Sequence, residues 1–298
     1  MKRVITLLPA ATEIVAALGD QRLLVAISHE CDYPPSVQHL PRVTTTPIDP
    51  AAPSASIDAE VRRLRQSGRP VIAIDADQLR RLAPDLIITQ ELCEVCAVSE
   101  GQVHRLAATL RPAPQVLALT AHDLEGIWRD ILSVGAALSL EDEAEELVLG
   151  LQSRLERLRR SSPTRRSRVL CIEWLDPLYL AGHWVPELID AAGGEDVAAA
   201  PGSHSVRGEW STLARAAPDC ILIMLCGFGI ERSRAELELL TDPDALELLG
   251  RVPTWIIDGN AYTSRPGPRI VDGASRIQSA LREQPRPDVE RWQPAGVC

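Results

Sequence analysis

Two stretches of this sequence share one pattern: RLAPDLIITQ at residues 81–90 and RAAPDCILIM at residues 215–224. In each stretch an arginine and small or apolar residues lead to a Pro-Asp pair, and an apolar run follows. The run is too short for a helix and is typical of a strand that is buried on both faces of a parallel sheet. The pattern therefore predicts the same unit twice: a helix end, a tight turn and a central strand.

Further elements recur around each copy in the same order. Upstream, residues 4–20 parallel residues 169–196, because each segment reads as strand, loop, helix, glycine stop and acidic residue. Downstream, PQVLALT at 114–120 parallels PTWIIDG at 253–259. Three elements repeated in one order predict an α/β fold of two similar lobes, each with a mostly parallel sheet covered by helices.

The longest helical pattern, residues 123–160, lies between the two repeats. Apolar residues recur at helical spacing before and after Ser139, which we interpret as an N-cap. About 35 helical residues would span about 50 Å. We therefore predict an N-terminal lobe over residues 1–121, a connecting backbone helix over 122–162, and a C-terminal lobe over 163–298. The ligand is expected in a cleft between the lobes.

Charge and cysteine content limit the partners and the compartment. The formal net charge of −10 would repel a phosphate backbone, so no nucleic-acid partner is expected. No apolar run reaches the 18 residues of a membrane span.

Seven scattered cysteines favour a reducing compartment. Lys2 and Arg3 precede an apolar run as in a signal peptide, but Pro9 and Glu13 interrupt it. We therefore expect a cytoplasmic protein, with a periplasmic location as the alternative.

Several segments together carry a family resemblance: LLPAATEIVAALG (7–19), LVAISHECDYPP (24–35), APDLIITQ (83–90), AGHWVPELIDAAGGED (181–196), GEWSTLARAAPD (208–219) and SRPGPRI (264–270). They resemble the helical-backbone substrate-binding proteins of ABC importers, which include cobalamin-, haem- and ferric-siderophore-binding members. SHECDYPP and the Gly-Gly-Glu-Asp segment are most similar to the cobalamin-binding members. The resemblance implies two α/β lobes bridged by one long helix.

The resemblance also implies a function. We expect non-enzymatic binding of a corrinoid, with cobalamin as the bound ligand, for uptake, escort or storage. One alternative is another metal chelate, either haem or a ferric siderophore. The other is an enzyme that handles a corrinoid or a metal through Cys93 and Cys96, with His29 and Glu30 nearby in its site. No glycine-rich phosphate loop, HExxH or GxSxG motif supports an established enzyme class.

The ligand-binding residues are expected in loops beyond the carboxyl ends of the parallel strands. Aromatic rings suit a flat macrocycle, and arginines at a helix start suit phosphate or amide oxygens. The predicted ligand-binding residues are Pro9, Thr12, His29, Tyr33, Gln90, Cys93, Cys96, Trp174, His183, Trp184, Trp210, Phe228, Tyr262, Arg265 and Arg269. Two alternatives remain open: Trp184 and Trp210 pack beneath the helices that they open, and Arg269 pairs with Asp272.

The histidines do not predict a metal site. His29, His183 and His204 fall in the predicted loops, whereas His39, His104 and His122 read as surface residues. His29 to Asp32 are consecutive, and consecutive side chains rarely converge on one ion.

The CEVC segment at residues 93–96 has several interpretations. A structural zinc site needs a second pair of ligands, which the sequence does not supply at suitable spacing. A redox pair needs a lowered thiol pKa, which Glu91 and Glu94 oppose. A pocket-lining loop is the preferred interpretation, with a direct thiolate contact to cobalt or iron as the alternative.

The resemblance also implies that each lobe offers one exposed acidic residue to the membrane subunits of an importer. Glu100 occupies that position in the first lobe. In the second lobe Ser211 and Thr212 stand where relatives carry Glu, although Glu209 is close. A missing docking charge would weaken and misalign the contact. We therefore expect that the chain does not serve a conventional importer.

Overall fold

The computed structural model describes residues 1–91, 98 and 100–293, apart from the side chain of Glu100. It divides the chain into two compact units. The first unit contains Met1–Ala52, Ala59–Ala121 and Glu125–Gly150, and the second contains Pro53–Asp58, His122–Leu124 and Leu151–Cys298. The division falls within a helix rather than in an irregular linker.

The elements up to residue 161 are mostly helices around one small parallel sheet. The strands are β1 Val4–Thr6, β2 Leu24–Ala26, β3 Thr44–Thr45, β4 Ala73–Ile74, β5 Leu86–Gln90 and β6 Gln115–Leu119. The helices are α1 Pro9–Ala17, α2 Ser54–Gln66, α3 Ala76–Leu82, α4 Glu100–Ala107, α5 Leu124–Leu138 and α6 Glu141–Ser161. The sheet of the first unit has the order β2-β1-β5-β6 with all pairs parallel, and β3 pairs with β4 separately.

The remaining elements belong to the second unit. Its strands are β7 Ser167–Trp174, β8 Tyr179–Leu180, β9 Gly194–Asp196, β10 Val206–Arg207, β11 Cys220–Ile223, β12 Thr254–Ile257 and β13 Val289–Trp292. Its helices are α7 Val185–Ala192, α8 Trp210–Leu213, α9 Ile230–Glu238, α10 Pro243–Arg251, α11 Gly259–Tyr262 and α12 Ile270–Leu281.

The repeated Pro-Asp motif performs the same task in both units. The Asp85 carboxylate accepts from the Arg3 backbone N–H at 2.8 Å, while the Asp85 N–H donates to the Arg3 carbonyl at 2.8 Å. In the second unit Asp219 makes the same two bonds with Arg168, at 2.9 and 2.8 Å. The predicted duplication is therefore confirmed at the level of single hydrogen bonds.

Both copies also end the preceding helical turn in the same way. Ala83 and Ala217, each directly before the proline, adopt left-handed backbone with φ of 40° and 45°. The Nε of Arg3 donates to the Leu82 carbonyl at 2.8 Å, and the Nε of Arg168 donates to the Ala217 carbonyl at 3.2 Å. The last carbonyls of these turns, which have no partner within the helix, are thereby satisfied.

The sheet of the second unit is mixed rather than mostly parallel. Strands β7, β11 and β12 form the parallel centre, and β9 pairs with β7 in parallel. The β7–β8, β8–β10 and β12–β13 pairs are antiparallel. Since only four residues separate Trp174 from Tyr179, β8 returns beside β7 as a hairpin, and a parallel crossover would need a dozen or more residues. The predicted α/β fold is confirmed, with a mostly parallel sheet in the first unit and a mixed sheet in the second.

The predicted connecting helix is two helices, α5 and α6. Ser139 has φ of 60°, its N–H donates to the Ala136 carbonyl, and the Leu140 N–H donates to the Gly135 carbonyl. This pair of bonds is a Schellman ending, in which a left-handed residue follows the helix. Ser139 therefore terminates α5 and is not the N-cap of a continuing helix. The predicted apolar face of α5 is confirmed, since Ile127, Ile131, Val134 and Leu138 are all buried.

Within the residues that the structure describes, no helix combines the length and the apolar character that crossing a bilayer requires.

The α5–α6 turn gives a test with opposite outcomes at two glycines. A Cβ on Gly135 would lie 2.4 Å from the Ala144 Cβ and 3.0 Å from the Leu140 carbonyl oxygen, whereas a Cβ on Gly150 would meet nothing within 4 Å. Gly135→Ala should lower the free energy of unfolding by about 1–3 kcal/mol because it overpacks the turn. Gly150→Ala should raise it by about 0.5–1 kcal/mol because alanine favours the helix. Urea unfolding of both variants checks this, and equal effects at the two sites would contradict the turn geometry.

Candidate functional site

His29 follows β2 in the first unit and has a fixed orientation. Its backbone N–H donates to the Thr44 Oγ1 at 2.9 Å, and its ring Nδ1 lies 2.7 Å from the same oxygen. The Thr44 hydroxyl in turn donates to the Ser28 Oγ at 3.1 Å. Since the only hydroxyl proton of Thr44 goes to Ser28, the Nδ1 of His29 donates its proton to Thr44. The Nε2 of His29 then carries an unprotonated lone pair.

The surroundings of His29 keep this ring neutral. Burial lowers the pKa of His29, and the nearby positive charge of Arg42 lowers it further. The Nη1 of Arg42 donates to the Ser28 carbonyl at 2.9 Å and also to the Cys31 carbonyl. Arg42 therefore both holds the loop that carries His29 and disfavours imidazolium. A neutral imidazole with a free Nε2 is the form that ligates metals.

The other predicted residues of the first unit are in different surroundings. Thr12 is buried in α1, where its hydroxyl lies 2.6 Å from the Thr6 Oγ1 and 3.0 Å from the Cys31 Sγ. Pro9 is the first residue of α1 and is half-buried, and half-buried Gln90 ends β5. Tyr33 is 43% exposed, which is unusual for a large aromatic ring. Pro9 and Thr12 thus belong to a helix rather than to the predicted loop.

Cys93 and Cys96 lie outside the described residues. The side chain of Glu100, at the start of α4, is also outside them. Glu209 is exposed and directly precedes α8. Among the described residues, Cys31, Cys171, Cys220 and Cys226 form no disulfide bonds. Burial raises the pKa of Cys220 to about 12 and raises that of Cys171 well above its usual range, so these two thiols are inert packing residues.

Three histidines come together in the second unit. His122, His183 and His204 each offer a ring nitrogen, and these three nitrogens lie within 4.8 Å of one another. The ring centroids are 5.3–5.9 Å apart. Burial lowers the pKa of His183, and His204 and His122 lower it further. The sequence predicts His183 and His204 in loops and His122 at the surface, and the contact of His122 with His183, 61 residues further along the chain, has no local signal.

The predicted aromatic residues of the second unit are mostly supporting residues. Trp184 is buried, and its Nε1 donates to the Thr263 carbonyl at 2.8 Å. Trp210 and Phe228 are buried in the hydrophobic core of this unit. Trp174 is half-buried, packs on the Phe228 ring at 5.2 Å, and donates from its Nε1 to the Asp176 carbonyl. The alternative in which Trp184 and Trp210 pack beneath their helices agrees with these positions.

The two predicted arginines also differ. Arg265 is buried, and its Nη2 donates to the Asn260 Oδ1 at 2.7 Å. Arg269 is half-buried beside α12, with its guanidinium carbon 5.8 Å from the centre of the Tyr262 ring. Asp272, the partner suggested for Arg269, pairs with Arg154 at 2.5 Å.

The protonation of His29 can be tested directly. Long-range ¹H–¹⁵N NMR should show the Nδ1–H tautomer for His29 and a pKa below the ordinary value of histidine, because burial and Arg42 disfavour the charged ring. Thr44→Val removes the acceptor and should abolish the tautomer preference while the His39 signals stay unchanged. An ordinary pKa and mixed tautomers in the unchanged protein would contradict the assigned hydrogen-bond network.

Known structures share this fold over nearly the whole chain. A periplasmic haem-binding protein of Pseudomonas aeruginosa has a TM-score of 0.71 at 20% identity, covering 98% of each chain. The periplasmic vitamin B12 binding protein of Vibrio cholerae has a TM-score of 0.65 at 20% identity, covering 95% of this chain and 97% of its own. An Fe³⁺-hydroxamate transport protein of Saccharomonospora viridis has a TM-score of 0.62 at 16% identity, covering 94% and 93%. At these identities the likeness establishes the fold alone.

A comparison with curated protein sequences gives no match. The family model described as periplasmic binding protein matches residues 4–248, which is more than three quarters of the chain. This chain therefore belongs to the periplasmic binding protein family.

Proposed function

We propose that this chain is a non-enzymatic binding protein for a planar metal chelate, with a corrinoid such as cobalamin as its ligand. The observation that carries the proposal is the neutral, fixed imidazole of His29, whose Nε2 can ligate a metal at an open axial position. The family membership and the vitamin B12 binding protein among the structural relatives support a ligand of this class.

The position of His29 agrees with a ligand-binding role. The residue follows β2, at the carboxyl ends of the parallel strands of the first unit, where ligands of α/β proteins bind. Tyr33 presents an exposed ring four residues later in the same loop. A ring and an imidazole on one loop would recognise the face and the metal of a flat chelate.

Haem is the second candidate, and the same observation favours it. An imidazole is a common axial ligand of haem iron, and haem-binding proteins are among the structural relatives. A ferric hydroxamate siderophore is less suited to His29, because a hexadentate chelator fills the coordination sphere of iron and leaves no position for a nitrogen ligand. His29 therefore favours the binding of chelates whose metal has an open axial position over chelates whose metal is already fully coordinated.

The location and partner also belong to this proposal. The structural relatives are described as periplasmic, which supports a periplasmic location rather than the cytoplasmic one expected from the sequence. The importer membrane subunits would then be the partner, with exposed Glu209 as one docking charge. The rival enzymatic interpretation depended on Cys93 and Cys96, which lie outside the described residues.

Visible spectra of the protein titrated with corrinoids provide the test. Aquocobalamin has an exchangeable axial water and cyanocobalamin has a tightly held cyanide, so only the former can accept His29. We expect aquocobalamin to bind at about 1:1 with a spectral shift, and His29→Ala to abolish the shift and weaken binding by at least about 10-fold, or about 1.4 kcal/mol. His39→Ala, an exposed histidine of the same unit, is the matched control and should have no effect.

Haem titrated in the same way distinguishes the second candidate. Haem binding that depends on His29, together with no response to aquocobalamin, cyanocobalamin or cobinamide, would identify haem rather than a corrinoid as the ligand. If neither corrinoids nor haem bind at high micromolar concentration, or if His29→Ala binds both as well as the unchanged protein does, the proposal is wrong.

A further inference from the structure

We propose that His122, His183 and His204 form a second site, which binds a divalent transition-metal ion of the zinc class. The three residues come from separate segments: before α5, between β8 and α7, and after the turn at Gly202. Their ring nitrogens lie within 4.8 Å of one another, and all three residues belong to the second unit. His29 belongs to the first unit and is not one of these three residues.

Backbone hydrogen bonds fix the two loops that carry His183 and His204. The His183 N–H donates to the Ser203 carbonyl at 2.6 Å, and the Gly202 N–H donates to the His183 carbonyl at 2.9 Å. Gly182 permits this approach, because a Cβ at that position would lie 2.5 Å from the Ser203 carbonyl oxygen. The backbone, and not only the side chains, therefore holds these two imidazoles together.

The third ligand is anchored through its neighbours. The Leu124 N–H, two residues after His122, donates to the Glu187 carboxylate on α7 at 2.7 Å. His183 lies two residues before the start of α7. The segment that carries His122 is thus attached to the same helix that follows His183, which orients the first histidine toward the other two.

His183 carries two unfavourable features that a bound ion would help to offset. Its backbone has φ of 55°, a left-handed conformation that is uncommon for residues other than glycine. Its Nδ1 is buried and makes no hydrogen bond within the described part of the chain. Strained backbone and unsatisfied buried atoms concentrate at functional positions. A cation ligated by the His183 ring through Nδ1 would supply the partner that this atom lacks.

The donor set selects the class of ion. Three imidazoles suit zinc, copper, nickel and cobalt, whereas calcium and magnesium require oxygen ligands. Zinc–nitrogen bonds of about 2.0–2.1 Å place tetrahedral ligands about 3.3 Å apart, so the ring nitrogens would approach one another by at most about 1.5 Å on binding. Three protein ligands leave the fourth position for water or another small ligand, as in zinc sites that are not purely structural.

The experiment uses untagged, chelator-treated protein titrated with zinc chloride in a calorimeter. We expect one equivalent of zinc to bind with micromolar or tighter affinity and the melting temperature to rise by about 5 °C at 100-fold excess over Kd. His204→Ala and His183→Asn should each weaken binding by more than about 100-fold, since losing a residue that merely orients a ligand costs 10–100-fold. Asparagine tolerates the left-handed backbone at position 183, so this variant should fold.

Cobalt chloride adds a readout of geometry, because tetrahedral nitrogen ligation gives intense visible bands that hexaaqua cobalt lacks. His104→Ala and His29→Ala are the controls and should leave zinc stoichiometry and the cobalt spectrum unchanged. The proposal is overturned if the unchanged protein gives no heat at micromolar zinc, or if the three-histidine variants bind zinc as the controls do. Chelate binding is tested separately with His29→Ala. Failure of the proposed zinc site would therefore leave the proposed function intact, and failure of the proposed function would leave the zinc site intact.

Discussion

Each unit depends on one reciprocal contact between an aspartate and an arginine at the start of the neighbouring strand. Asp85 binds the backbone of Arg3 in the first unit, and Asp219 binds the backbone of Arg168 in the second. The contact fixes the register of the two central parallel strands at their amino ends, β1 with β5 and β7 with β11. Register matters here because a slip of one residue would turn the buried face of a strand outward. The arginine side chain simultaneously satisfies the end of the preceding helical turn, so one residue pair joins helix, turn and sheet.

Once register is fixed at the amino ends, the carboxyl ends of the strands open onto loops whose positions are also fixed. His29 follows β2 and is held by Thr44 and Arg42 rather than by the sheet itself. His183 follows the hairpin strand β8 and His204 lies between β9 and β10, and backbone bonds between their loops hold them. In both units the scaffold is apolar and rigid, while hydrogen bonds within the loops orient the imidazoles. This division lets loop chemistry vary without disturbing the core.

The sequence predicts features that depend on neighbours along the chain and misses those that depend on distant ones. The Pro-Asp repeats, the buried runs after them and the apolar face of α5 were predictable because each is a local pattern. The break at Ser139 was not, because the apolar spacing continues on both sides of it and the Schellman bonds leave no trace in that spacing. Thr12 reads as a loop residue until its contacts with Thr6 and Cys31 are known. The cluster of His122, His183 and His204 was not predictable, because its three segments are distant in the sequence and only the fold brings them together. The interpretations of the CEVC segment concern residues 93–96, which lie outside the described part of the chain.

The two groups of histidines illustrate how one side chain can serve two chemistries. His29 has one nitrogen occupied by Thr44, so it can offer a single lone pair to a metal that already has most of its ligands. His183 shares its space with two further imidazoles and has an unsatisfied nitrogen, so that group can supply most of the ligands of a bare ion. Burial and nearby positive charge lower the pKa of His29, and burial with the other two histidines lowers that of His183. Each of these two rings is therefore neutral near neutral pH, the form in which we propose that His29 ligates a chelated metal and His183 a bare ion.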